Sequence, residues 1–260
     1  MTLIWVCLIK LMVKIVMTLI PDGKKGVEDP GSPIYLDENI ISQPAAALQL
    51  VAKEIFRMSD QVRDILKKTI ELVKNEEVKS IDGLKENGEQ VERLGKCITE
   101  YLAALFSSGS LTEQQAAQTA SLMCVLSDVE RMGTLSVEMA ECMLERSDRK
   151  YKYTPEAMDE LQKSLKVLNK MFCDSLKALQ GDDGIEPGKM MKRKDKLLDL
   201  DIKMRKAHIE RVNKGKCKAS LTAPFTNILH LIDRMGNSCI NLADVAESGT
   251  SMKYFMLEEK

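Results

Sequence analysis

Aromatic residues, histidines and paired cysteines are scarce in this chain. Phe, Tyr and Trp make up 4% of the 260 residues, whereas methionine occurs 16 times. A core of Leu, Ile, Val, Met and Ala favours packed helices over a β-sandwich. The seven cysteines stand apart without a CxxC motif, which argues against a disulfide framework or a zinc site. His208 and His230 are the two histidines, so the chain lacks the residues that most histidine-based catalytic sites require. We therefore predict that the chain is not an enzyme.

An overall excess of charge of either sign is also missing. The 38 Lys and Arg residues against 39 Asp and Glu residues give a formal net charge of -1. This balance excludes a generally basic nucleic-acid binder and an acidic disordered chain, so no nucleic-acid partner is predicted. Residues 189–218 are a local exception, with 12 Lys and Arg residues against four Asp and Glu residues. Such a cluster can contact anionic lipid, although a solvated helix face is the commoner explanation.

A long apolar run occurs once, at the N-terminus. Residues 2–20 are apolar except for Lys10, Lys14 and two threonines, and this length is about that of a membrane span. Each lysine costs about 2.5–3.5 kcal/mol near the bilayer centre, which offsets the gain from the aliphatic residues. Because the lysines are one turn apart, they share a helix face that can point to other spans or to lipid headgroups. The alternatives are a mispredicted start of the chain and a helix buried against a partner.

The charges around this run predict an orientation. Lys24 and Lys25 follow the apolar run, and no basic residue precedes it. The positive-inside rule then places residues 21–260 on the cytoplasmic side of the cell membrane. A signal peptide is disfavoured, because the run has neither a preceding charge nor a following small-residue cleavage site.

Proline is absent between positions 45 and 154, where the apolar residues recur at spacings of three and four. Pro44, Pro155, Pro187 and Pro224 each begin a long apolar-periodic stretch, as expected for proline in a first helical turn. Six such stretches predict six helices packed at small crossing angles. The predicted order is an apolar helix over 1–20, a linker over 21–40, a three-helix bundle over 41–150, a second over 151–250 and a tail over 251–260.

The third and sixth stretches repeat one another. Residues 129–141 read VERMGTLSVEMAE and residues 232–244 read IDRMGNSCINLAD, with a constant offset of 103 positions. This match indicates a duplicated three-helix unit. The predicted fold is therefore all-α, a tandem pair of three-helix bundles. A glycine inside a helix costs about 1 kcal/mol relative to alanine, so the matched glycines indicate close approach of another helix. The identical residues of the motif core are Arg131, Met132 and Gly133 in one copy and Arg234, Met235 and Gly236 in the other.

Each copy of the motif carries one carboxylate with a polar residue one turn later. Residues four positions apart share a helix face, so Glu130 lies over Thr134 and Asp233 lies over Asn237. One interpretation of this arrangement is a structural helix face on which the two carboxylates pair with neighbouring arginines.

These motifs resemble the E/D-x-x-x-D signatures of PhoU-type phosphate-regulatory domains, which commonly read LERIGD. The resemblance covers residues 40–250 and implies tandem three-helix bundles whose carboxylate pairs bind divalent or ferric metal ions in a groove. Here Thr134 and Asn237 replace the second carboxylate of each pair. Hard cations require several charged oxygen ligands, so Glu130 and Asp233 are predicted to bind metal weakly.

Residues 36–38, 44–48 and 205–217 are similar to the cytoplasmic C-terminal domain of bacterial sodium/phosphate cotransporters. That resemblance implies that residues 2–20 form the last membrane span and that the chain regulates phosphate transport without transport sites of its own. The implied partner is the membrane part of a phosphate transporter or another transporter subunit, and a homo-oligomer is open. The alternative function is a free-standing PhoU-type negative regulator of phosphate uptake and signalling.

Overall fold

Six α-helices make up almost all of the part of the chain that is described. The structure, a computed structural model, describes residues 29–74, 80–147, 152–181 and 187–247. No strand occurs within these ranges, so the predicted all-α class is confirmed. Single 3-10 turns, Glu38–Ile40 and Ala219–Leu221, precede the first and last helices. The helices are α1 Pro44–Lys74, α2 Asp82–Ser107, α3 Glu113–Ser147, α4 Pro155–Leu179, α5 Pro187–Asn213 and α6 Thr222–Glu247.

The helices pack as two groups of three. Helices α1, α2 and α3 contact one another, and so do α4, α5 and α6. The two groups meet along α3 and α6 and along α1 and α4, and the chain forms one unit from Gly31 onward. The predicted tandem pair of three-helix bundles is therefore confirmed, with α1, α3, α4 and α6 forming the seam.

Apolar residues at helical spacing form the core of both groups. On α1 one apolar face is fully buried, and α4 and α6 each bury a face in the same way, for example through Leu165 and Ile228; the buried α1 residues include Val51, Ile55, Met58, Val62 and Ile65. Burial of one such side chain stabilises the fold by about 1.5–3 kcal/mol. The helix starts follow the prolines: at α4, Pro155 occupies the first turn, and the Thr154 hydroxyl accepts a hydrogen bond from the Ala157 amide at 3.3 Å.

A buried carboxylate holds residues 31–37 against the first bundle. Glu54 of α1 is completely buried, and its Oε2 accepts hydrogen bonds from the backbone amides of Ile34, at 2.9 Å, and Tyr35, at 2.7 Å. The Arg57 guanidinium pairs with the other carboxylate oxygen and donates to the Ser32 carbonyl at 2.6 Å. A buried charge is tolerated only when it is paired and hydrogen-bonded, and both conditions are met here.

The predicted apolar helix over 1–20, with Lys10 and Lys14, lies outside the described residues, as does the predicted tail over 251–260. Within residues 29–74, 80–147, 152–181 and 187–247, no helix combines the length and apolar character that a bilayer crossing requires.

Candidate functional site

The two copies of the motif lie in the middle of α3 and α6, which run in opposite directions along the seam. Asn241 Nδ2 donates to Asp128 Oδ1 at 3.2 Å, and Asn227 Nδ2 donates to Cys142 Sγ at 3.2 Å. A later residue of α3 therefore meets an earlier residue of α6. Paired positions have the same degree of burial from 129 and 232 through 137 and 240. This agreement is what a duplicated unit predicts.

The first bundle contains a further copy of the motif that the sequence analysis missed. Residues 91–96 of α2 read VERLGK, close to the VERMGT of α3. The two segments face each other through their glycines. A Cβ atom added to Gly95 would lie 3.3 Å from Glu130 Cδ, and one added to Gly133 would lie 3.4 Å from Val91 Cγ1. Val62 of α1 lies equally close to Gly133, 3.3 Å from an added Cβ, so the two glycines allow close packing of the three helices. Comparison of all stretches by motif, and not only by apolar register, would have found this copy.

Glu130 of the first bundle lies against α2. Its half-buried carboxylate packs on Gly95, and burial, followed by the nearby Glu92 carboxylate, raises the pKa of Glu130 above its ordinary value. Thr134 is exposed, and its hydroxyl donates to the Glu130 carbonyl at 3.2 Å. The Thr134 hydroxyl therefore donates its hydrogen bond to the backbone and not to the Glu130 carboxylate.

Asp233 of the second bundle has a lysine partner from α5. Lys194 Nζ donates to Asp233 Oδ1 at 2.6 Å and to the Asp233 carbonyl at 3.0 Å. Asn237 Nδ2 lies 3.5 Å from the other carboxylate oxygen. The same ammonium covers Gly236, since an added Cβ would lie 3.3 Å from Lys194 Nζ. Lys194 stands 103 positions after Val91, which together with Val62 lies against Gly133. The duplicated unit therefore has an ammonium in its second half where its first half has an aliphatic side chain.

The motif arginines lie at the surface of α3 and α6. Arg131 and Arg234 are exposed, and Arg234 Nη1 lies 3.9 Å from Glu138 Oε2 of the other bundle. The predicted pairing of Asp233 with an arginine is therefore replaced by its pairing with Lys194.

An acidic groove of about 380 Å³ runs along α2 and α3 beside the first-bundle motifs. Four glutamates line it, and Lys85 is the lining residue of opposite charge. Lys85 Nζ lies 2.8 Å from Glu141 Oε1, and this contact raises the pKa of the lysine. The groove therefore keeps an excess of negative charge and can attract cationic groups of a partner. Its lining residues are Lys85, Gly88, Glu89, Glu92, Thr134, Val137, Glu138 and Glu141.

The residues present do not fit the metal cluster that the resemblance implies. Among the residues that the structure describes, no group of three or more His, Cys, Asp or Glu side chains is arranged to hold a metal ion. Glu130 faces α2 and Asp233 faces α5, so the two predicted ligands are not brought together. In the second bundle, the Lys194 ammonium already balances the single carboxylate. Glu130 and Asp233 remain predictions as metal ligands.

Comparison with known proteins finds a family match within the first bundle. The model of the PhoU domain family matches residues 55–143, which include the larger part of α1, all of α2 and most of α3. The groove and the paired VER-x-G segments therefore lie inside the matched region.

Two PhoU proteins are similar over most of the chain. The Thermotoga maritima protein named phosphate-specific transport system accessory protein PhoU homolog 1 is 24% identical over 209 residues, which are 79% of this chain and 88% of the relative. The crystal structure of PhoU from Pseudomonas aeruginosa superposes with a TM-score of 0.69 at 13% identity, covering 75% of this chain and 93% of that one. The chain thus carries a PhoU domain match over its first three helices and is built on the fold of PhoU proteins.

Proposed function

We propose that this chain is a PhoU-type regulatory accessory protein of phosphate uptake, acting without catalysis on the cytoplasmic side of the membrane. The observation that carries the proposal is the family match over residues 55–143, which falls on the helices that form the acidic groove. The similarity to a phosphate transport accessory protein extends over 79% of the chain and supports the same function.

The regulator would act by docking. The groove walls are α-helices that the glycine contacts hold close together, so the carboxylates have fixed positions. Glu89 and Glu92 are exposed on α2, where they can meet a basic surface of a transporter subunit or a sensor kinase. Electrostatic complementarity of this kind contributes mainly to partner selection and association rate.

The test uses a bacterium that lacks its own PhoU gene and carries a reporter for phosphate-starvation genes. Expression of the full chain should restore repression of the reporter in high phosphate. Glu89→Lys should weaken that repression, whereas Glu100→Lys, which alters an exposed glutamate of the same helix outside the groove, should not. Repression by none of the three proteins, at equal expression and folding, would refute the proposal.

The cotransporter resemblance of residues 36–38, 44–48 and 205–217 gives a second candidate, the regulatory domain of a sodium-dependent phosphate transporter. The two PhoU relatives favour the free-standing regulator. Measurement of phosphate uptake with and without sodium in the same strain separates the two. A change that depends on sodium, with the reporter unaffected, would favour the transporter domain.

A further inference from the structure

Helix α5 carries a straight apolar stripe on its outer side. Met191, Leu198, Ile202 and Ile209 are 53%, 52%, 58% and 56% exposed. Their spacings of seven, four and seven residues place all four on one line along the helix, about 27 Å long. The core contacts of α5 are made by other residues, among them Leu197 and Met204, which are buried. The stripe is therefore not part of the fold of the second bundle.

The stripe has the heptad pattern of a coiled-coil seam. When positions 195 and 205 are added to the four apolar residues, the spacing alternates between four and three. This is the spacing of the a and d positions of successive heptads. The two added positions hold opposite charges, Asp195 and Arg205. Asp195 is exposed, and Arg205 Nε lies 2.7 Å from Asp201 Oδ2 of its own helix. Four apolar positions and two charged positions thus form one continuous seam.

This seam is complementary to itself when two copies run in opposite directions. Met191 and Ile209 lie nine positions before and after Leu200, Asp195 and Arg205 lie five positions before and after it, and Leu198 and Ile202 lie two. A two-fold axis at the level of Leu200 therefore sets each apolar residue of the seam opposite an apolar residue, and Asp195 opposite Arg205 of the other copy. A parallel arrangement would set Asp195 against Asp195, at a cost from like charges.

We propose that a second copy of this chain covers the stripe, with the two α5 helices packed antiparallel about Leu200. Each Arg205 then lies between Asp201 of its own chain and Asp195 of the other. A membrane surface fits the stripe less well, because Asp195 lies within it and Asp199 lies beside it. The interface is isologous, as is usual for a symmetric dimer. Since it involves one helix of each copy, it belongs to the small class of interfaces, and we expect a dissociation constant on the order of 10–100 µM.

Two charge-reversal variants of the full chain test this pairing. Asp195→Arg places arginine opposite arginine in its own dimer, and Arg205→Asp places aspartate opposite aspartate. Each variant alone should dimerise at least tenfold more weakly than the wild type in sedimentation velocity over 5–500 µM. An equimolar mixture restores both Arg–Asp contacts, so it should form a heterodimer about as readily as the wild type dimerises. Lys196→Glu, an exposed change of the same helix away from the stripe, should leave dimerisation unchanged.

Circular dichroism shows whether the variants are folded. If either charge reversal unfolds the chain, Leu198→Glu takes its place, because this side chain is exposed and its change should abolish the dimer alone. A wild type that remains monomeric to 500 µM would overturn the proposal. So would a dimer that the reversals and Leu198→Glu leave intact, or folded reversal variants that fail to associate when mixed.

Discussion

Lys194 Nζ forms an ion pair with Asp233 Oδ1 at 2.6 Å, and no such ammonium covers the equivalent place in the first bundle, where Val91 stands. The two halves share their helix order, glycine contacts and burial pattern, yet they treat their single motif carboxylate in opposite ways. Glu130 is left beside another carboxylate, and Asp233 is neutralised. The difference leads to predictions that compare matched positions of the two bundles.

The ionised carboxylate of Glu130 should destabilise the fold, whereas that of Asp233 should stabilise it. Burial and Glu92 raise the pKa of Glu130, so ionisation is harder in the folded chain. This group stabilises the fold below pH 4.5 and loses that contribution as the pH rises through its folded pKa. Glu130→Gln should therefore raise the melting temperature at pH 7 by on the order of 1 °C, with no gain at pH 4.

Asp233→Asn is the matched control for this measurement. It removes a partly exposed ion pair, whose loss should cost about 0.5–1 kcal/mol at pH 7. Thermal melts of the wild type and both variants at pH 4 and pH 7 measure the effect of each carboxylate on stability. A destabilising Glu130→Gln at pH 7 would show that the glutamate carboxylate has a favourable partner.

Metal affinity should respond to the same difference. With one carboxylate in each motif, the wild type should bind Mn²⁺ weakly, because charged oxygens must replace the hydration shell. Thr134→Asp adds a carboxylate at the groove near Glu130 and Glu92, and it should increase affinity for Mn²⁺. The same change should destabilise the metal-free protein, since like charges one turn apart repel.

In the second bundle, Asn237→Asp alone should increase the affinity for Mn²⁺ only slightly, because Lys194 already forms an ion pair with the Asp233 carboxylate. The double variant Lys194→Met and Asn237→Asp should bind more tightly than Asn237→Asp. Titration calorimetry measures each affinity. Tight stoichiometric binding by the wild type, or equal gains at positions 134 and 237, would contradict this account.

Glu54 should contribute more to stability than any exposed glutamate of α1. Its carboxylate is buried and accepts the Ile34 and Tyr35 amides as well as the Arg57 guanidinium. Glu54→Ala should lower the free energy of unfolding by about 3 kcal/mol, because Arg57 and the two amides lose their acceptor. Urea denaturation would measure this loss. Glu71→Ala, at an exposed position of the same helix, should change it by less than about 0.5 kcal/mol.

His208 should make the second bundle sensitive to mild acid. Its ring is stacked on Phe225 with centroids 4.6 Å apart, and its Nε2 lies 3.1 Å from the Thr222 hydroxyl. Burial and then Arg211 lower the pKa of His208, against the opposing effect of Glu160. As the pH falls from about 6.5, the unfolded chain therefore protonates His208 before the folded chain does. The free energy of unfolding falls until the pH is below the folded pKa of His208.

Melting temperatures of the wild type between pH 7.5 and 5 should consequently fall more steeply than those of His208→Gln. The variant loses the stacking contact, so it should be less stable at pH 7.5 while titrating less. His230→Gln, at an exposed histidine, should keep the wild-type slope. Equal slopes for all three proteins would exclude His208 as the responding group.

The helices of the fold could be predicted because their apolar faces repeat at a strict period. The apolar residues of α5 follow this period less strictly, and the structure gives the reason: the helix has a buried face with Leu197 and Met204 and a separate exposed stripe. Two apolar faces on one helix weaken any single period.

The partners of charged residues could not be predicted in the same way. The pairing of Lys194 with Asp233 depends on the register of α5 against α6, which no local pattern contains. Burial of Glu54 depends on residues 31–37 folding back onto α1, and the glycines and prolines there indicated only a linker. The motif in residues 91–96 was visible in the sequence, but its pairing with residues 129–134 required the packing of α2 on α3.

The lysine over Gly236 gives the second bundle a counter-ion of its own. An ammonium carried on the chain cannot be chelated, diluted or exchanged for another ion, and it is supplied at a fixed ratio of one to each Asp233. The charge state of this half is therefore independent of the metal content of its surroundings. At the described motif of the first bundle, Glu92 and Glu130 have no such tethered cation, so a soluble ion or a basic partner could change the charge there.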